Sequence, residues 1–185
     1  MFHLRPVNAE TDFPRIAELT NMVGREPITA EMLHERMRNM PPGRVGRRMV
    51  AVGEDGRIAG FHGVLRDSWM RPGHFWMRVI VDRSLRHQGI GSLLYDNALE
   101  FIREQAATHV TSEVYDDCAE CLQFAEHRGF CIERHMFESR LDLATFDAAR
   151  CTMRLPGLIA LIAGVSLPLS YWLSNALASM GQARL

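Results

Sequence analysis

At 185 residues, 47% of them hydrophobic, with a formal net charge of −1, the chain suits one globular domain with an appendage. Acids and bases are interspersed, so no basic block points to nucleic acid and no acidic tail to a basic partner. The cysteines, Cys118, Cys121, Cys131 and Cys151, form no secreted disulfide pattern and the N-terminus has no apolar leader, so a cytoplasmic setting with reduced thiols is expected.

Phe2 to Val7 alternates and reads as a first strand. Asn8 to Asp12 offers capping side chains for a helix whose apolar stripe is Ile16, Leu19 and Val23. Thr29 can cap a second helix through Met32, Leu33, Met37 and Met40, stopped by Pro41-Pro42-Gly43. Its methionines suit ordinary packing, with a plastic substrate wall as the other reading. Arg48–Val52 and Arg57–Leu65 read as strands joined by the hairpin signal Gly53-Glu54-Asp55-Gly56. His74–Val81 is a further strand; His62 and His74 lie on or beside strands that could line a cleft. A glycine-containing loop follows, then a long helix with Ile90, Leu94, Ala98, Phe101 and Ile102 on one side. Val110–Tyr115 reads as a strand. Cys118, Cys121, Leu122 and Ala125 share a face of the next helix, which Gly129 can cap. Phe130–Leu143 alternates as a final strand.

The chemistry concentrates in the order strand, glycine loop, helix from Val79 to Leu94. Gly89 and Gly91 lack a Cβ, so a ligand can approach the main chain. The first amides of the following helix have no internal partner, and the helix dipole favours an anion there. Arg86 adds a cation. Spacing alone also fits a plain strand-to-helix turn. A Walker A loop is excluded because no Gly-Lys-Ser/Thr follows, and the Rossmann pattern lacks its third glycine.

Arg86-x-x-Gly89-x-Gly91 after a valine-rich strand resembles motif A of the GNAT (GCN5-related N-acetyltransferase) superfamily, Arg/Gln-x-x-Gly-x-Gly/Ala. Cys118 to Phe130 is similar to the family's motif B, a helix ending in Gly-Phe. The resemblance spans Phe2 to Leu143. It implies an α/β (α+β) fold over residues 1–143: a mixed, mostly antiparallel sheet of six to seven strands, with splayed central strands and flanking helices. It implies acetyl-coenzyme A as co-substrate and no metal. Backbone groups of Val79 and Val81 would bond the pantetheine arm, and Arg86, His87, Gln88, Gly89, Ile90, Gly91 and Ser92 would cradle the pyrophosphate.

Acyl transfer to an amine needs a neutral nucleophile, stabilisation of an oxyanion and a proton for the departing thiolate. Two family positions depart from the pattern: Ala125 stands where motif B usually carries a tyrosine, and Cys118 where it commonly carries an asparagine. The remaining candidates are Glu113, Tyr115, Asp116 and Asp117 at the end of the neighbouring strand. Cys118-x2-Cys121-x5-His127-x3-Cys131 has zinc-ligand types but not a knuckle's spacing, and is read as structural. The function implied is N-acyl transfer from acetyl-CoA to a small-molecule or peptide amine by direct attack. The alternative is a non-catalytic CoA-binding module.

Residues 144–185 form an apolar C-terminal extension, uncharged from Leu155 to Ala183. It is expected to dock on the domain or on a second copy in a homodimer. A membrane tail ranks second, because Pro156, Pro168 and Asn175 interrupt the run. The junction Glu138 to Asp147 resembles that between the halves of tandem GNAT proteins of the mycothiol synthase type.

Overall fold

The computed structural model describes residues 1–137, 139, 141–142 and 144–146. The chain divides into two units, Met1–Cys131 and a second beginning at Ile132. The expectations for the extension from residue 147 onward lie outside the described residues.

In the first unit, β1 (Phe2–Pro6) leads to α1 (Ala9–Asn21) and α2 (Ala30–Arg38), then β2 (Val45–Gly53), β3 (Ile58–Arg66) and β4 (His74–Val81). A 3-10 turn at Arg83–Leu85 follows, then α3 (Ile90–Glu104), β5 (His109–Thr111) and α4 (Ala119–Glu126). The caps are those the sequence offers: Asn8 accepts from the Glu10 amide at 3.0 Å and Thr29 from the Met32 amide at 3.3 Å. The β2–β3 hairpin turns through Gly56 at φ +76°, with the Asp55 carboxylate accepting from the Arg57 amide.

The sheet runs β1-β2-β3-β4-β5, antiparallel except for the parallel pair β4–β5. Period-two alternation divides its two faces. On one, Val50, Phe61 and Ile80 align across three strands and pack under Phe13, Ile16 and Leu19 of α1. On the other, Val64, Phe75 and Met77 pack against Tyr95, Ala98, Phe101 and Ile102 of α3. Gly60 is required where the sheet meets α3: a Cβ there would stand 2.6 Å from the Ile80 carbonyl and 3.1 Å from Leu94.

Three expectations are corrected. Among the described residues the sheet has five strands rather than six to seven. The strand expected over Val110–Tyr115 is only His109–Thr111, because its ladder to β4 stops at Trp76↔Thr111. No strand forms from Cys131 to Phe137, since alternation without a ladder partner does not make one. The described part of the second unit is irregular, with a turn in which Asp142 accepts from the amides of Ala144 and Thr145.

Candidate active site

The site begins where two neighbouring strands part. β4 pairs with β3 from Trp76 to Val81 but with β5 only from His74 to Trp76. The Asp82 amide donates to the Ala59 carbonyl at 2.8 Å, which fixes the phase of the backbone. Residues 78 and 80 therefore face β3 with their peptide groups, and Val79 and Val81 turn theirs toward the side that β5 has left. Their side chains pack against α3 in the core. An extended strand thus presents backbone donors and acceptors at an edge without a ladder among the described residues.

Asp82 ends β4 and is buried. It accepts from the Ser84 amide at 2.9 Å and the Ser84 hydroxyl at 2.7 Å, and pairs with Arg15 of α1. The Ser84 bonds and Arg15 hold its carboxyl below the usual carboxylate range against the opposing effect of burial. This pins the turn that aims the loop. The sequence signal was available, since Asp-x-Ser after a strand is an Asx-turn pattern, but it was missed.

His87 at φ 62° and Gly89 at φ 79° are both left-handed. Gly89 is the N-cap of α3 and supplies no side-chain cap, while its carbonyl receives the Leu93 amide at 3.0 Å. The amides of Ile90, Gly91 and Ser92 have no partner among the described residues. The two glycines differ. A Cβ on Gly89 would meet nothing within 4 Å, so its missing side chain opens space for a ligand; one on Gly91 would stand 3.0 Å from the Phe124 ring, so its missing side chain admits α4.

Arg86 turns toward α4. Its guanidinium lies 3.3 Å from Glu120 and 3.9 Å from the Cys118 sulfur, and His87 lies 3.7 Å from the same Glu120. Gln88 is exposed. The Ser92 hydroxyl accepts from Arg128 at 2.7 Å, and Arg128 stacks 3.5 Å over Phe124, bracing α4 against the start of α3. Glu120 and Arg128 had no signal in the sequence, because nothing local says which helix faces the loop.

Cys118 is the N-cap of α4, and Cys118 and Cys121 are joined as a disulfide. This corrects the reduced-thiol expectation. Positions three apart at a helix start bring the two sulfurs together, and both residues are half-buried. Cys131 is free and exposed. His62 is fully buried beneath α3, its Nε2 3.0 Å from the Asn97 side chain, so it does not line the cleft. Met32, Met37 and Met40 are about two-fifths exposed rather than packed.

Of the acid–base candidates, Glu113 lies 3.7 Å from Arg78, a residue of β4 at the point of divergence. Asp116 and Asp117 face Arg25 of the α1–α2 connection at 3.9 and 3.6 Å, and Arg25 stacks 5.2 Å over Tyr115. The segment after β5 and the α1–α2 connection thus meet beside the parted strands.

A family model described as the acetyltransferase (GNAT) family matches residues 13–130. The chain is 33% identical over 94 residues to a streptothricin acetyltransferase from Streptomyces lavendulae, an alignment covering 45% of this chain and 44% of that one. It therefore spans less than half the length of that curated relative. Among solved structures it resembles a glucosamine-6-phosphate N-acetyltransferase from Arabidopsis thaliana, with TM-score 0.59, 18% identity, and 77% of this chain and 99% of that one covered. A Trypanosoma brucei acetyltransferase gives TM-score 0.55 at 24% identity over 77% of this chain and 100% of that one. At these identities the likeness is one of fold.

Proposed function

The chain belongs to the GNAT family of acetyltransferases, and on that premise we propose that it moves the acetyl group of acetyl-coenzyme A onto an amine. The observation that carries the reading is the row of unpartnered amides at Ile90, Gly91 and Ser92 behind left-handed Gly89. It stands at the end of a strand whose edge past Trp76 is free of β5. The residues fit the coenzyme's chemistry: helix-start amides without a partner among the described residues and Arg86 for a diphosphate, and outward peptide groups of Val79 and Val81 for the two amides of the pantetheine arm.

The coenzyme supplies an activated acetyl thioester. The acceptor's nitrogen forms a bond to the acetyl carbon, the carbon–sulfur bond breaks, and one proton must pass from nitrogen toward sulfur. An alkylamine is protonated at neutral pH, its pKa being about 10, so a proton acceptor is needed first. We assign that role to Glu113, whose carboxylate is held beside the strand divergence by Arg78. Tyr115 and Asp116 stand on the same segment and are the next candidates.

A second reading, a module that binds the coenzyme without turnover, is favoured by Ala125 at the position where motif B usually supplies an acid. Release of free thiol from acetyl-CoA across a panel of amines separates the two. Turnover dependent on an amine, lowered about 100-fold in Glu113→Gln, supports the transferase and the role of Glu113. Tight CoA binding with no amine-dependent thiol release leaves only the binding module.

A further inference from the structure

Arg5, Arg15, Arg44 and Arg78 each have an acidic partner among the described residues. Arg5 pairs with Asp12 at 2.6 Å, Arg15 with Asp82, Arg44 with Asp67, and Arg78 with Glu113 at 3.7 Å. Arg48 on the same face as Val50 differs: it is half-buried and makes no side-chain hydrogen bond or ion pair among the described residues. Burial, and then the cation of Arg44, press its pKa below the ordinary value. A guanidinium removed from water without a counter-ion is unfavourable, and an incoming anion offsets that.

The register shows where such an anion would lie. Arg48, Gly63 and Arg78 align across β2, β3 and β4, one row beyond Val50, Phe61 and Ile80 on the same face. Gly63 leaves the middle of the row empty, since a Cβ there would find only the Arg48 side chain, at 4.0 Å. Arg78 stacks 4.9 Å over the Trp76 ring and stands where β5 departs. Strands lie about 5 Å apart, so two arginines flanking a glycine can converge over it. The proposed diphosphate loop is elsewhere: it follows Val81, about 10 Å farther along β4 at about 3.4 Å per residue.

We propose that Arg48, with Arg78 across Gly63, forms the acceptor subsite, and that the acceptor is a small amine carrying a carboxylate or phosphate within about 5 Å of its nitrogen, one strand spacing away. The inference rests on the acetyl-transfer reading. Arg48 selects the acceptor and takes no part in the bond changes.

The test uses matched amines, an α-amino acid against its amide and an aminoalkyl phosphate against the amino alcohol, with the full chain and acetyl-CoA. The charged member of at least one pair is expected to be acetylated with the higher kcat/KM, and the pair preferred tells carboxylate from phosphate. In Arg48→Gln its KM rises on the order of 30-fold with little change in kcat, Arg48→Lys recovers part of the loss, and the neutral amines are unaffected. CoA affinity by calorimetry stays at the wild-type value, which shows that the variant is folded. Gly63→Val, which fills the row without removing charge, lowers the same kcat/KM. Equal use of charged and neutral acceptors, or a KM indifferent to Arg48, overturns the subsite and leaves acetyl transfer standing. No turnover of any amine by a CoA-bound protein overturns both.

Discussion

The two arms of the parted strands are built differently. The β4–loop–α3 arm is held by local signals. Phe75 and Met77 alternate into the core, Asp82 and Ser84 close the turn, Gly89 is left-handed, and α3 buries Ile90, Leu94, Tyr95, Ala98, Phe101 and Ile102. The β5–α4 arm is held by its neighbours: β5 has three ladder pairs, and no residue of α4 is fully buried. What joins the arms is a small contact set in which Gly91 meets Phe124, Ser92 meets Arg128, and Arg86 meets Glu120. In the proposed reading the first arm supplies the anion site. The second determines how freely Arg86 can serve it.

Substitutions can separate these contributions. Gly89→Glu adds left-handed strain and a like charge at the diphosphate, and should weaken CoA binding on the order of 100-fold by calorimetry. Gly91→Ala should act instead on stability, by about 1–3 kcal/mol, because its Cβ must displace Phe124; a urea titration reads this. A large loss of CoA affinity with unchanged stability would break the distinction between the two glycines.

The next effect is pH-dependent and lies on β3, beneath α3. Burial, opposed by the Asn97 bond, lowers the pKa of His62 from 6.5. The unfolded chain then binds the extra proton first, so stability is full above about pH 6.5 and falls as pH drops through the folded value. The slope contributed is at most about 1.4 kcal/mol per pH unit, and His62→Gln should flatten it in unfolding measured from pH 7.5 to 5. The smallest effect concerns the join. Glu120→Gln frees Arg86 from an exposed ion pair of about 0.2–1 kcal/mol, so CoA affinity should rise by up to about fivefold. Weaker binding would mean that Glu120 positions Arg86 for the ligand rather than competing with it.

The same difference governs what the sequence could reveal. β4, the hairpin turn, both N-caps and the span of α3 follow from alternation, capping side chains and helical periodicity within a few residues of each position. The length of β5 could not be read, because Val110–Tyr115 alternates regardless of whether β4 stays alongside. The Cys118–Cys121 bond and the burial of His62 needed the helix start and the helix packing respectively. The start of α3 at left-handed Gly89 was legible because glycine geometry and a helix N-terminus are local facts. The setting of Arg48 was not legible, since an arginine in a strand looks solvent-facing until the register shows Gly63 beside it and no acidic partner among the described residues.

The central claim, that the first amides of α3 hold the coenzyme's diphosphate, is tested most directly by amide chemical shifts during a CoA titration of the full chain. The Ile90, Gly91 and Ser92 signals should move downfield together and saturate with the calorimetric affinity, while those of His3 and Leu4 on β1 stay in place. CoA binding that leaves these three amides unmoved would contradict the account.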